Sequence, residues 1–241
     1  KSTLVATAAS HLRSRAGLRV VIATPTRAQA AGAAHRCALV EPGRVNFFLS
    51  GDAQRVYNTN LDRSCDLANG EPAISVRTVA SCVMNPPDCD VLIFDEAFQT
   101  AYADTVLAAA KTHQVVLVGD PGQIGPVITC QTSPWDDLVD GPHLPSPIPW
   151  ATRDGAVLLS ISETWRLGRQ TTAAIAGLYD FEFESKRPID SGLDGRREIE
   201  SVSIETNGDL VHPAISAAVN MALLSLAEST IARVQLRSAD L

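Results

Sequence analysis

Short apolar runs alternate with stretches of helical spacing through the first half of the chain. Runs of adjacent apolar residues between turn-forming residues are typical of buried strands, whereas apolar residues three and four positions apart indicate one face of a helix. The predicted strands are 18–23, 74–79, 91–94 and 114–118, and the predicted helices are 4–12, 27–37 and 102–111. Because the two kinds of element alternate, we predict an α/β fold in which helices flank a parallel sheet.

Two stretches interrupt this alternation. Residues 40–72 contain several glycines and asparagines, which indicates a loop-rich insertion within a first domain, 1–133. Residues 134–154 are rich in proline, which disfavours regular elements, so we predict a linker between domains there. The remainder, 155–241, is predicted to begin a second α/β domain without completing it. Its predicted strands are 156–161 and 199–204, and its predicted helices are 171–179 and 213–227.

Composition narrows the class of protein. The net charge of -7 argues against a protein that coats nucleic acid with a basic surface, although it leaves room for a local basic groove. No apolar run approaches the roughly 20 residues of a membrane span. The five cysteines include no C-x-x-C pair and the histidines are scattered, so we expect reduced thiols in the cytoplasm and no zinc site. The chain opens on Lys1 with no signal-peptide pattern, and we expect it to be part of a longer protein.

The strongest chemical signal is a pair of adjacent carboxylates, Asp95 and Glu96, directly after the apolar run 91–94. Ligands of open α/β sheets bind at the carboxyl ends of the strands. One carboxylate there can hold a phosphate-bound Mg²⁺ while its neighbour orients or deprotonates an attacking water. An acidic cap at the start of a helix explains the pair equally well.

Lys1-Ser2-Thr3 matches the end of the phosphate-loop pattern G-x-x-x-x-G-K-[ST], and a predicted helix and strand follow it. In that pattern the lysine reaches the β and γ phosphates and the next hydroxyl binds Mg²⁺. The glycines of the pattern are absent, and any chain can open on three polar residues. The tripeptide gains weight only together with Asp95.

A third signal lies one predicted strand further along, in Gly119-Asp-Pro-Gly-Gln123. A glutamine at this position can bond the γ-phosphate or its attacking water. The alternative is a turn shaped by glycine and proline that exposes Gln123.

Together these motifs resemble the superfamily-one helicases, in particular the branch of the nonsense-decay RNA helicase and its DNA-acting relatives. Order and spacing agree over most of the chain. The motifs are Lys1-Ser2-Thr3, Thr24-Pro25-Thr26, Asp95-Glu96-Ala97-x-Gln99, Gly119-Asp120-Pro121-x-Gln123 and Glu163-Thr-Trp165-Arg166-Leu167. The resemblance implies a RecA-like parallel sheet in the first domain and the beginning of a second RecA-like domain.

The resemblance also implies roles for single residues, with ATP and Mg²⁺ as substrate and cofactor. Lys1, Ser2, Thr3, Asp95 and Asp120 would bind the nucleotide, with Ser2 and Asp95 on the metal. Glu96 would be the catalytic base. Gln123 and, from the second domain, Arg166 would contact the γ-phosphate, where the guanidinium charge offsets developing negative charge. Without the resemblance, Arg166 reads as a surface arginine.

The same resemblance places Thr24, Thr26 and Arg27 on the backbone of single-stranded DNA or RNA, with Thr78 and Ser81 as a weaker second contact. Hydroxyls and amides at strand ends hold phosphates without reading sequence, which suits a motor. Thr24 and Thr26 serve equally well to begin a helix at Pro25.

Three functions are compatible with these motifs: a helicase or translocase driven by ATP, a P-loop ATPase that acts as a conformational switch in a defence or signalling assembly, and a binding module with a vestigial site. Since all the catalytic residue types are present, the third ranks lowest. The chain lacks the front of the phosphate loop and the family's last two motifs. We therefore expect these 241 residues alone to bind and hydrolyse ATP poorly.

Overall fold

The computed structural model describes residues 1–42, 45–47 and 74–187, together with Ala217 and Met221. The chain divides into two compact units, Lys1–Leu159 and Ser160–Leu241. The helices of the first unit are α1 (Ser2–Ala16), α2 (Arg27–Val40), α3 (Val79–Met84), α4 (Tyr102–Ala108) and α5 (Pro147–Ala151). Its strands are β1 (Val20–Thr24), β2 (Val45–Phe47), β3 (Ile74–Thr78), β4 (Cys89–Asp95) and β5 (Thr112–Val118).

The five strands form one parallel sheet in the order β2-β3-β1-β4-β5. All residues of β1 are buried, as expected for a central strand that helices cover on both faces. β5 lies at the edge and is only partly buried. The predicted fold class, a parallel sheet flanked by helices, is confirmed. The predicted insertion 40–72 contains β2, and most of the rest of it lies outside the described residues.

Side chains of β1 alternate between two hydrophobic cores. Val20 and Ile22 pack with α1 and α2 on one face of the sheet. Val21 and Ala23 pack with α3 and the end of α4 on the other face. The helices that follow β1 and β4 therefore lie on opposite faces, which opens a crevice between the carboxyl ends of these neighbouring strands.

Much of the proline-rich segment packs against α4. Thr105 of α4 is fully buried, and its Oγ1 accepts hydrogen bonds from Ser146 Oγ at 2.7 Å and Trp150 Nε1 at 2.9 Å. The Ser146 N–H also donates to the Thr100 carbonyl at 2.9 Å. Two of the prolines lie in the first turn of α5, where a missing N–H has no cost. The domain boundaries at 133, 134–154 and 155 stay a prediction.

The second unit contains β6 (Glu163–Thr164), α6 (Arg169–Ile175) and β7 (Glu184–Ser185), and β6 pairs with β7 in parallel. The predicted helix 171–179 corresponds to α6 and a following 3-10 turn at 176–178. The prediction of a strand at 156–161 is wrong, because these residues form no regular element and find no pairing strand in the described part of the chain. The predicted elements 199–204 and 213–227 lie outside the described residues, apart from Ala217 and Met221. Within the described ranges, no helix has the length and hydrophobicity to cross a membrane.

Candidate nucleotide site and strand groove

Lys1 and Glu96 meet at the carboxyl end of the sheet. The Lys1 Nζ donates a hydrogen bond to Glu96 Oε2 and forms an ion pair with it, although 95 positions separate the two residues. Lys1 is also the N-cap of α1, and no side chain caps this helix end. The first N–H groups of α1 therefore point toward the same region without a side-chain acceptor, as in a phosphate-binding helix end. Ser2 and Thr3 form the first turn of this helix.

The backbone at Glu96 is unusual. Glu96 has φ 65 and ψ 43, and within the described residues no other non-glycine residue has a positive φ. This left-handed conformation turns the chain sharply from the end of β4 into a 3-10 turn, Ala97–Gln99. A non-glycine residue pays a steric cost for it, and such strain is typical of functional sites.

Asp95 is the last residue of β4 and is 5% exposed. Burial and then the neighbouring Glu96 raise the pKa of its carboxyl group, while Lys1 and Arg36 lower this pKa in part. Its Oδ1 is buried without a hydrogen-bond partner among the described atoms. A buried carboxylate oxygen that lacks a donor is a suitable ligand for a hard cation such as Mg²⁺.

Beyond Asp95, a Mg²⁺ ion at this site would have few protein ligands. In the described ranges, no three His, Cys, Asp or Glu side chains cluster as a metal cage. Mg²⁺ bound to a nucleotide needs only one or two carboxylates, because phosphate and water oxygens complete its shell. The residue types at Ser2 and Asp95 thus fit this ion.

Gln123 belongs to a chain of hydrogen bonds at the end of the neighbouring strand β5. Its Nε2 donates to Asp120 Oδ2 at 2.9 Å, and its Oε1 accepts from Gln99 Nε2 at 3.1 Å. Asp120 Oδ1 accepts from the Gly122 N–H at 3.0 Å, which tightens the turn. β5 pairs with β4 so that Val118 lies opposite Asp95. The predicted turn therefore does follow the strand next to the two carboxylates.

Among the residues predicted to contact nucleic acid, Thr24 and Thr78 end the paired strands β1 and β3 and lie opposite each other, whereas Thr26 and Arg27 lie at the start of α2. Thr26 caps α2 in a capping box with Gln29, and Thr78 caps α3 by accepting from the Ser81 N–H. Thr26 therefore caps a helix, which was the alternative to a role in nucleic-acid binding.

Thr24 differs from the other three. It is fully buried, and its hydroxyl donates to the Thr26 carbonyl at 3.0 Å. Its side chain holds this turn together and has no surface to offer a nucleic acid, whereas Thr26 and Arg27 are exposed.

A groove of about 310 Å³ lies beside these strand ends. Its apolar lining comes from Pro25 and from α3, and its polar lining from the segment after Glu96 and from α4. The lining residues are Pro25, Val79, Ala80, Val83, Met84, Gln99, Thr100 and Asp104.

Arg166 lies in the second unit, where it is exposed and is the second residue after β6. Its backbone N–H donates to Thr164 Oγ1 at 3.3 Å, so the side-chain hydroxyl of Thr164 fixes the turn that carries it.

Two residues of interest escaped the sequence analysis of function. Arg36 of α2 lies close enough to Asp95 to lower the pKa of that carboxyl group, and its own Nε is buried without a partner among the described atoms. Its guanidinium group lies over Gly32, one turn nearer the start of α2 and the carboxyl end of the sheet. No motif marks Arg36. Gln99 was part of a motif, but nothing in the sequence showed its contact with Gln123.

The fold is a parallel α/β sheet flanked by helices, and Lys1, Asp95 and Glu96 lie together at its carboxyl end. Residues 48–140 match the family model of the viral superfamily 1 RNA helicase core domain. The predicted resemblance to superfamily-one helicases is thereby confirmed for this segment. No curated protein sequence matches the chain significantly.

Solved helicase structures resemble the fold. The arterivirus nonstructural protein 10 helicase in complex with DNA is 15% identical, with a TM-score of 0.51 over 83% of this chain and 42% of its own. The helicase of PRRSV is 19% identical, with a TM-score of 0.47 over 78% of this chain and 37% of its own. The chain thus spans about two fifths of the length of these helicases.

Proposed function

We propose that this protein is an ATP-dependent helicase or translocase on single-stranded nucleic acid, with its nucleotide site at the carboxyl ends of β4 and β5. The observation that carries the proposal is the ion pair of Lys1 and Glu96 beside the buried carboxylate of Asp95. A lysine, a carboxylate that can act as base and a metal-binding carboxylate are recurring parts of sites that hydrolyse nucleoside triphosphates. The helicase family match supports this function over that of a switch ATPase.

In this proposal Lys1 and the free N–H groups of α1 bind the β and γ phosphates. Lys1 must then exchange its contact with Glu96 for one with phosphate, which releases Glu96 to accept a proton from the attacking water. Asp95 and Ser2 hold Mg²⁺, which supplies positive charge to the phosphate oxygens.

Gln123 and Asp120 line the γ-phosphate side of the site. Gln123 has a second N–H beyond the one that it gives to Asp120, and this donor is available to the γ-phosphate or the attacking water. The contact of Arg166 with the γ-phosphate stays a prediction from the sequence resemblance.

The nucleic acid contacts Thr26, Arg27 and Thr78, with Ser81 in support. Thr26 and Thr78 cap α2 and α3, and their hydroxyls lie near the carboxyl ends of β1 and β3, where side-chain hydroxyls can contact phosphate oxygens. Thr24 is omitted because its hydroxyl is buried and engaged.

The proposal is tested by ATP hydrolysis of the full-length protein with and without single-stranded RNA or DNA. We expect stimulation by at least one of the two. Glu96→Gln should lower kcat by a factor on the order of 100 or more while nucleotide affinity is kept, because the base is lost and the phosphate contacts are not.

The matched control is Glu182→Gln, which makes the same change at an exposed glutamate of the second unit and should leave the rate unaltered. A full rate in Glu96→Gln would show that another group is the base. Hydrolysis that ignores nucleic acid would argue for the switch ATPase instead.

A further inference from the structure

Gln99 lies between the candidate nucleotide site and the strand groove. Its Nε2 donates to Gln123 Oε1 at 3.1 Å, and the same side chain lines the groove together with Pro25 and Val79. In the described part of the chain, no other residue of the groove lining hydrogen-bonds Gln123. A change at the groove therefore has a direct route to Gln123.

The orientation of the Gln123 amide depends on two partners. Asp120 accepts from its Nε2 on one side, and Gln99 donates to its Oε1 on the other. An amide held by an acceptor at its nitrogen and a donor at its oxygen has one favoured orientation. If Gln99 turns away, Gln123 keeps only the contact with Asp120 and gains freedom to rotate.

The groove lies next to two residues that are proposed to contact nucleic acid, Thr26 and Thr78. Pro25 directly precedes Thr26, and Val79 directly follows Thr78. A nucleic-acid strand whose phosphates contact both Thr26 and Thr78 therefore passes over the groove.

The lining of the groove suits a base of that strand. Val83 and Met84 of α3 supply apolar surface for the face of a base, whereas Gln99 and Asp104 supply polar groups for its edge. A base in the groove and Gln123 would then compete for, or share, the hydrogen-bonding groups of Gln99.

We propose that Gln99 is a positioning residue that couples the nucleotide site to the groove. A nucleobase in the groove changes the hydrogen bond from Gln99 to Gln123. Binding of the nucleic-acid strand and binding of the nucleotide therefore alter each other's affinity. This inference rests on the proposed function. It adds the residue through which the two ligands communicate.

The test measures affinities, so that no turnover is needed. In the full-length protein, a non-hydrolysable ATP analogue with Mg²⁺ is titrated with and without a saturating single-stranded oligouridine or oligodeoxythymidine. The ratio of the two dissociation constants is the coupling factor, and typical allosteric factors are about 5 to 150. We expect a factor of at least about five in the unmodified protein. In Gln99→Met, which keeps the length of the side chain and removes its amide, the factor should fall below about two.

The matched control is Gln131→Met, an exposed glutamine in the loop after β5 whose amide bonds Ser133. It should keep the full coupling factor. Titration of the oligonucleotide with and without the nucleotide must return the same factor, because binding linkage is reciprocal. Equal thermal midpoints of the variants would exclude a purely structural effect.

A double-mutant cycle with Gln123→Met identifies the route. If the Gln99–Gln123 hydrogen bond carries the coupling, either substitution alone abolishes it and the double variant adds nothing further. Retention of the full factor in Gln99→Met overturns the inference while the proposed function stands. The same is true if the unmodified protein binds both ligands independently. If it fails to bind nucleotide or strand at all, the proposed function falls and the inference with it.

Discussion

Glu96 combines a chemical role with a strained backbone. Its φ of 65 is favourable for glycine and costs a residue with a Cβ about 1 to 2 kcal/mol. Glu96→Ala and Glu96→Gly both remove the ion pair with Lys1, but only the glycine removes the strain. We therefore predict that Glu96→Gly is more stable than Glu96→Ala by about 1 kcal/mol in urea unfolding.

The control is the same comparison of alanine with glycine at a position whose backbone is not strained. Ala28 is exposed in the first turn of α2, and Ala28→Gly should lower the free energy of unfolding, because glycine disfavours helices. Opposite signs at the two positions would establish strain at Glu96. A glycine variant of Glu96 less stable than its alanine variant would refute it.

At the scale of elements, Thr26 has two proposed tasks that one substitution can separate. As the N-cap of α2 it accepts from the Gln29 N–H at 3.2 Å, and Thr26→Ala should cost about 1 kcal/mol of stability. Aspartate also caps helices well, but its charge repels phosphate. Thr26→Asp should thus keep the stability and still weaken binding of single-stranded nucleic acid at least threefold, as measured by fluorescence anisotropy at fixed salt. Undiminished binding by Thr26→Asp would remove Thr26 from the strand interface.

One buried hydroxyl contributes to the contact between α4 and the proline-rich segment, beside the backbone hydrogen bonds from Tyr102 and Ala103 to the Leu144 and Pro142 carbonyls. Thr105 Oγ1 accepts from both Ser146 and Trp150, and a Thr105→Val substitution leaves these two donors unpaired at nearly constant volume. Buried unpaired donors cost about 1 to 3 kcal/mol. We predict a loss in this range by denaturant unfolding. Thr152→Val, at an exposed threonine of the same segment whose hydroxyl donates to the Pro149 carbonyl at 2.8 Å, should change stability by less than about 0.5 kcal/mol, because water can replace this exposed bond.

The elements that depend on local pattern were predictable from the sequence. The strand that ends in Asp95 and the turn that contains Gln123 follow from apolar runs beside polar residues, because burial on both faces of a sheet selects such runs. The parts that depend on tertiary contacts were not. The packing of the proline-rich segment rests partly on the hydroxyl of Thr105, and the left-handed turn at Glu96 falls on a residue type that gives no sign of it.

At the scale of the whole first unit, Asp95 links ligand binding to stability. Burial raises the pKa of its carboxyl group, so the folded state disfavours the charged form. The stability that the protonated carboxyl contributes is present below its ordinary pKa and is lost as the pH rises through the raised value. Above the raised pKa, the ionised Asp95 therefore destabilises the ligand-free protein.

Asp95→Asn keeps a similar volume and cannot ionise, and we predict that it stabilises the ligand-free protein at any pH above the raised pKa. The same variant should lose the additional stabilisation that Mg²⁺ gives in the presence of nucleotide, which is about 2.7 kcal/mol for a ligand at 100 times its Kd. Thermal unfolding with and without Mg²⁺ measures both effects, with Asp154→Asn at an exposed position as the control. A metal ligand must show the two effects together. A variant that is less stable without ligand, or that keeps its full response to Mg²⁺, would instead give Asp95 a structural role in the turn after β4.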